Sequence, residues 1–206
     1  MSFLARRRAD RVYRKGGWGP QLTWPVPRAD GAPLVFQMRL PAKVQLIDVD
    51  KLAESAEEAP EFVTEGRTAL ARGAEALGAI VVGALCGTAD DGEREVLGTV
   101  TVALAGVTGP PDLNEGVEVD GNRRTHTTVI KLSDRATEIK RLIAETVPDR
   151  AEPVPMLMMQ YLIETRYGAL TMSFSTANTD MFGEFGRSMF LKITETGFIG
   201  EKPAPY

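Results

Sequence analysis

The sequence has few of the side chains that most often build catalytic or metal-binding sites. Among its 206 residues there is one cysteine, Cys86, and one histidine, His126. A single cysteine excludes an intrachain disulfide and a cysteine-clustered zinc site, and a single histidine excludes a site with several histidine ligands. We therefore expect Cys86, at the end of an apolar run, to be a buried structural thiol and His126 to have no catalytic role.

Motifs for nucleotide cofactors and for hydrolytic nucleophiles are also missing. The chain contains no GxGxxG, GxxxxGK[ST] or GxSxG sequence, so neither the common glycine-rich phosphate cradles nor the nucleophile turn of hydrolases is indicated. No apolar run approaches the ~20 residues of a transmembrane helix. The first residues lead into Trp, Gly and Pro instead of an apolar signal-peptide core. These features predict a cytoplasmic protein that is not an enzyme and has no cofactor or metal.

The distribution of charge sets the first 15 residues apart from the rest. They carry six basic side chains and one acidic side chain, a net charge of +5, whereas the whole chain has a net charge of −4. A basic arm can attract an acidic protein face, an anionic membrane surface or nucleic acid, or remain a solvated tail. The acidic body and the lack of an accompanying motif disfavour nucleic acid.

Glycines and prolines are concentrated between residues 16 and 33, where they disfavour a regular helix or a central strand. The same stretch holds both tryptophans, which a purely solvated linker seldom carries. We predict that residues 1–33 form an extended arm that makes contacts and is not a folding element. The side chains predicted to bind a partner are Arg6, Arg7, Arg8, Arg11, Arg14, Trp18, Trp24, Met181 and Phe190.

The folded domain is predicted to cover residues 34–199, followed by a C-terminal tail at 200–206. Apolar periodicity predicts a helix over 60–77 and a closing helix whose inward stripe includes Met189 and Ile193. Between them, alternating and continuous apolar segments predict antiparallel strands, with turns at Asp91-Gly92 and in the sequence VDGN. Residues 136–145 fit either a helix or an edge strand, and we favour the strand.

Two stretches resemble the PsbP-like family, which includes DcrB and secretion-associated DcrB-domain chaperones. The sequence FQMRLPAKVQLID resembles the opening of that fold, and LMMQYLIETRYGALTMSFSTANTDMFGEFGRSMFLKI resembles its final hairpin and helix. The resemblance implies an α+β fold, an α/β/α sandwich in which a mainly antiparallel sheet is flanked by helices. It implies accessory proteins that hold, load or stabilise other proteins, and it implies no catalytic residue.

Two hypotheses of different classes follow. The first is a non-enzymatic adaptor or chaperone, associated with bacterial secretion or a larger assembly. Its partner would be a protein with an acidic or apolar docking surface, or a second copy of the chain. The alternative is a small-molecule or lipid-binding module, or a cryptic hydrolase, that uses a pocket between sheet and helices. A deep, closed pocket near His126 or near the acidic pairs Asp48/Asp50 and Glu57/Glu58 would favour the alternative, and a flat apolar patch would favour the adaptor.

Overall fold

The computed structural model describes residues 17–28, 31–48, 78–88, 94–105, 115–146, 154–176 and 184–201. Within these ranges the chain is built mainly of strands. The strands are β1 (Trp18–Pro25), β2 (Val35–Pro41), β3 (Val44–Asp48), β4 (Ala79–Thr88), β5 (Arg94–Ala105), β6 (Gly116–Asp120), β7 (Arg123–Ser133), β8 (Ala136–Glu145), β9 (Val154–Thr165), β10 (Gly168–Thr176) and β11 (Phe198–Gly200). The helix described in these ranges, α1, is Glu184–Glu195.

The strands form two antiparallel sheets. The smaller has the order β1-β2-β11, and the larger has the order β3-β4-β5-β10-β9-β8-β7-β6. Strands β6 to β10 lie side by side in the order in which they follow each other in the chain, so they form an antiparallel meander. Short turns join β6 to β7, β7 to β8 and β9 to β10. Pairing of β10 with β5 then joins this meander to the unit formed by β3, β4 and β5.

The alternation of side chains along the strands determines which face of the larger sheet is buried. In β10, Leu170, Met172 and Phe174 are fully buried, and the residues between them are partly buried. This is the period of two expected of a strand with one face in the core, and it confirms the predicted strand. The two-residue turn at Gly121 and Asn122 confirms the VDGN hairpin, and Gly121 has the positive φ, 54°, that such turns require.

Residues 136–145 form β8, which confirms the strand favoured from the sequence, but β8 is an interior strand and not the predicted edge strand. They pair with β7 on one side and with β9 on the other. Since most of the backbone hydrogen-bonding groups of β8 are satisfied by two neighbours, the helical alternative has no advantage here. Cys86 is buried in β4, as expected of a structural thiol.

The second half of the predicted arm belongs to the folded body. Residues 18–25 are β1, which pairs with β2, and Val26 and Leu34 lie in the hydrophobic core. The separation of an extended arm at residue 33 therefore does not hold for these residues. Prolines are compatible with β1 because it is an edge strand, and its register shifts between Trp18 and Gln21, next to Pro20.

The core lies between the two sheets and α1. Phe36 and Met38 of β2 are fully buried opposite the apolar face of the larger sheet. Helix α1 contributes Met189, Phe190 and Ile193, and the Phe190 ring stacks on Phe174 at a centroid distance of 4.3 Å. The smaller sheet and α1 together cover the apolar face of the larger sheet.

The predicted fold class is wrong. The described residues are mostly strand, and the layer that covers the inner face of the larger sheet is formed by a second sheet together with one helix. An α/β/α sandwich needs helices as the flanking layers, whereas β1, β2 and β11 occupy that place here. The helix predicted over 60–77 lies outside the described residues.

The stacked position of Phe190 predicts a large loss of stability on truncation. We expect Phe190→Ala to lower the free energy of unfolding by about 3–5 kcal/mol, because the cavity would open against Phe174 in the centre of the core. Urea unfolding monitored by circular dichroism would measure the loss. Phe198→Ala, at a side chain that is 38% exposed, is the control and should cost much less. An unchanged unfolding midpoint for Phe190→Ala would contradict the core position.

Candidate functional site

Two hairpin turns of the larger sheet converge beside β11 and form a pocket of about 330 Å³. The β7–β8 turn contributes Arg135, and the β9–β10 turn contributes Arg166 and Tyr167. Antiparallel pairing of β8 with β9 brings the two turns together, as the hydrogen bond from Glu164 N–H to Arg135 C=O (2.8 Å) shows. The smaller sheet closes another side through Phe198 and Ile199.

The lining combines an apolar surface with two guanidinium groups. Ile163 and Leu170 extend the apolar surface from the core to the pocket, and Phe198 adds a half-exposed ring. Arg135 is exposed, and its guanidinium has no hydrogen bond or ion pair to any residue in the described ranges. An apolar lining with a few polar groups is typical of binding pockets, and guanidinium groups are suited to pair with an anionic ligand.

Tyr167 is the centre of a polar network at the pocket. The guanidinium carbon of Arg166 lies 4.6 Å from the Tyr167 ring centroid, and that of Arg28 lies 6.0 Å from it. Arg166 donates a hydrogen bond to Tyr167 Oη, which donates to Glu201 Oε1 at 3.3 Å. Glu201 also approaches Arg166 at 3.8 Å, with both side chains well exposed. The network therefore places a carboxylate of the chain itself in weak, solvent-screened contact with an arginine.

The side chains of this pocket provide groups that can recognise a ligand. Its cations can pair with carboxylate or phosphate oxygens, and its apolar surface can accept a hydrocarbon group. Thr165 is the hydroxyl-bearing residue of the lining other than Tyr167, and its Oγ1 already donates to Gly168 C=O at 2.7 Å. In the described ranges no group of three or more His, Cys, Asp or Glu side chains could hold a metal ion.

A second polar group lies inside the core and was not anticipated from the sequence. Glu138 of β8 and Tyr161 of β9 are directly opposite each other across the two strands, and both are buried. Arg187 of α1 donates from Nε to Glu138 Oε1 at 2.7 Å, although Arg187 itself is 44% exposed. Glu138 Oε2 and Tyr161 Oη have no hydrogen-bond partner within the described part of the chain. The ion pair between Arg187 and Glu138 joins α1 to the larger sheet.

The surroundings of Tyr161 favour its protonated form. Burial raises the pKa of Tyr161 above its ordinary value, because the phenolate would lose its hydration. The adjacent Glu138 carboxylate raises that pKa further, through charge repulsion and through its attraction for the phenolic proton, while Arg187 acts in the opposite direction. Tyr161 is thus a neutral core residue that also contacts Phe174 edge to face, with ring centroids 6.0 Å apart.

The structure separates the residues that the sequence predicted as a partner-binding set. Trp18 is 38% exposed on β1, while Trp24 is half-buried and stacks on Phe36 at 5.9 Å. Phe190 is in the core, so its side chain is occupied by packing and is not presented to a partner. Outside the described residues lie Arg6, Arg7, Arg8, Arg11, Arg14 and Met181.

The pocket residues were missed because they are remote in sequence and chemically ordinary. Arg135 and Arg166 stand in two separate turns, and Phe198 follows the helix. The turns themselves were readable from SDR and TRYG, but their convergence depends on the pairing of β8 with β9. The local sequence carried no signal for burial of Glu138, because Lys140 and Leu142 on the same face of β8 are exposed and the burial depends on pairing with Tyr161 of β9.

Comparison with known proteins gives no assignment. No protein-family model matches this chain, and no curated protein matches it significantly. The resemblance to the PsbP-like family therefore stays a prediction. The helix in the described ranges is neither long nor apolar enough to cross a membrane.

Removing the hydroxyl of Tyr161 should have a pH-dependent effect. At pH 7 we expect Tyr161→Phe to leave the free energy of unfolding within about 1 kcal/mol of the parent or to raise it, since an unpartnered buried hydroxyl is lost. Above pH ~10 the unfolded tyrosine ionises while the folded one stays protonated, so the parent loses stability as pH rises. The variant should lose less. Urea unfolding at a series of pH values tests this, and equal alkaline losses in both proteins would contradict it.

Removing the cation that faces Glu138 should destabilise the fold. Arg187→Ala would leave a buried carboxylate without its partner, and we expect a loss of about 3 kcal/mol, at the low end for a buried pair because Arg187 is partly solvated. Arg187→Lys should retain part of the stability. The double variant Glu138→Gln with Arg187→Met should lose less than Arg187→Ala, because no uncompensated charge remains. Losses below about 0.5 kcal/mol for Arg187→Ala would show that the pair behaves like a surface contact.

Proposed function

We propose that this protein is a non-enzymatic adaptor or chaperone that binds a partner protein through the pocket around Tyr167. The observation that carries the proposal is the convergence of Arg28, Arg135 and Arg166 around Tyr167 beside an apolar lining. Such a surface fits an acidic side chain followed by an apolar one. The partner is thus a protein segment that is both acidic and apolar.

Glu201 supports this choice of ligand chemistry. Its carboxylate contacts Arg166 and Tyr167 from within the chain, which indicates that the network accepts a carboxylate. Because that ion pair is exposed, it contributes about 0–1 kcal/mol and can be exchanged for a carboxylate of a partner. Arginine and tyrosine are also among the residues that most often carry binding energy at protein interfaces.

The surroundings of His126 favour the adaptor over an enzyme. His126 is exposed on β7, and its strand neighbours Val117 and Leu142 are exposed as well. This is an open sheet surface with two apolar side chains beside the histidine, and it supports a docking role more than a closed site. The buried Cys86 thiol agrees with a reducing compartment, and we propose the cytoplasm as the site of action.

A small anionic amphiphile is the second candidate ligand. The pocket volume of about 330 Å³ lies at the lower end of the range of ~300–1,000 Å³ for small-molecule sites. A fatty acid could place its carboxylate at Arg135 and its chain along Ile163 and Leu170. The same variants test both candidates.

The test uses a fluorescent peptide of alternating Glu and Leu, with a Lys-Leu peptide for comparison, measured by fluorescence anisotropy. We expect the acidic peptide to bind and Arg135→Glu to weaken it by about tenfold or more, because one charge-assisted contact becomes a repulsion. Lys140→Glu makes the same change of charge on an exposed site of β8 outside the pocket and is the matched control.

Equal affinity for both peptides, or equal effects of the two substitutions, would contradict a specific pocket. Decanoate in place of the peptide separates the candidates. Saturable binding of decanoate that Arg135→Glu abolishes, with no binding of the acidic peptide, would favour the amphiphile and refute the adaptor.

A further inference from the structure

Strand β6 forms one end of the larger sheet, and β7 is its one neighbour there. All five residues of β6 are exposed. Edge strands usually carry features that block pairing, such as prolines, lysines or a cover from another element. Gly116–Asp120 contains no proline, and no residue in the described ranges pairs along its outer side; its protection consists of its short length and the carboxylates of Glu118 and Asp120. The strand is therefore open to pairing with a segment whose side chains can accommodate the two carboxylates.

The hairpin geometry identifies the groups that face outward. Asp120 and Arg123 flank a two-residue loop and are directly opposite each other. In such a hairpin the flanking pair is hydrogen-bonded, and bonded and non-bonded pairs then alternate along the strand. The N–H and C=O groups of Val117 and Val119 consequently point to the open side. They offer two donors and two acceptors to an incoming strand.

The two faces of β6 differ in chemistry. Val117 and Val119 share one face and are 52% and 69% exposed, and Leu142 lies two strands away in the same cross-strand row as Val117. Glu118 and Asp120 occupy the other face; Asp120 lies opposite Arg123 of β7 without forming an ion pair to a described residue, and Glu118 lies opposite the uncharged Thr125. Apolar and acidic side chains therefore alternate along one unpaired edge.

We propose that β6 binds an extended basic segment of a partner protein by strand addition. The segment alternates apolar and basic residues, so that its apolar side chains pack on Val117 and Val119 while its lysines or arginines face Glu118 and Asp120. Backbone hydrogen bonds to β6 provide affinity for the segment, and the alternation of apolar and acidic side chains along β6 provides specificity for its sequence. This surface is separate from the Tyr167 pocket and has the opposite charge preference.

Charge also decides against a second copy of β6 as the occupant. The antiparallel pairing that uses the outward groups of Val117 and Val119 from both copies would place Glu118 directly opposite its equivalent. Like charges in that position destabilise a strand pair. A basic segment converts the same position into a favourable cross-strand pair.

The test measures binding of a capped peptide of alternating Lys and Val to the full chain by fluorescence anisotropy. We expect Val119→Pro to weaken binding by about tenfold or more, because proline removes the outward N–H, and edge positions are where a strand accepts proline. Val119→Thr keeps the N–H and the branched side chain and should change binding by less than about threefold. Glu118→Lys should weaken binding and reduce its salt dependence.

A second peptide tests the strand pairing on the unmodified chain, so that the result does not depend on whether the Val119→Pro variant folds. The Lys-Val peptide with N-methyl groups on alternate amides keeps its charge and composition but cannot complete a strand pair, and it should bind the unmodified chain about tenfold more weakly. Equal binding of the methylated peptide, or of a Glu-Val peptide, would overturn the proposal. So would concentration-dependent self-association in sedimentation experiments that Val119→Pro abolishes. Arg135→Glu should leave Lys-Val binding unchanged, which separates this surface from the pocket.

Discussion

The contact between Phe174 and Phe190 fixes the place of α1 on the larger sheet, and both polar sites depend on it. Arg187 and Phe190 are three residues apart, so they project from the same side of the helix. When Phe190 stacks on Phe174, Arg187 reaches Glu138 on β8. The chain then leaves the helix and enters β11, which closes the pocket around Tyr167. One aromatic contact thus aligns a buried ion pair and a surface pocket.

The buried polar group illustrates how the core tolerates a charge. Glu138 is desolvated, and one of its oxygens is paired with Arg187 while the other has no described partner. Such pairs add little net stability compared with apolar packing, but they strongly penalise arrangements in which the carboxylate loses its cation. We infer that the Glu138–Arg187 pair restricts the position in which α1 can pack on the sheet and adds little to the free energy of unfolding.

The two proposed docking surfaces lie at different places and have opposite charge. The pocket presents arginines beside apolar residues, whereas β6 presents carboxylates beside exposed valines. A protein with both surfaces can hold an acidic segment and a basic segment at the same time. This property suits an adaptor that brings two partners together, and it does not require any bond-making chemistry.

Local sequence patterns identified many of the strands and the closing helix. The alternation in β10, the VDGN turn and the apolar stripe of Met189 and Ile193 are local signals, because each depends on neighbours within a few residues. They also supported burial of Cys86. For the same reason the sequence was informative about β8, where residues 136–145 carried an alternating pattern beside a helical one.

The layers, the edge strand and the sites were decided by tertiary structure. Local breakers near Trp18 and Trp24 indicated an extended segment, but only pairing with β2 shows that this segment is a strand of the body. Whether Phe190 faces a partner or the core depends on what packs against α1, and Phe174 is sixteen positions away in sequence. Arg135, Arg166 and Phe198 form a pocket only because distant strands pair. The sequence by itself determined the local conformations, since backbone sterics and short-range periodicity act within a few residues. The tertiary structure alone decided which faces are covered, since that depends on burial between residues far apart in the chain.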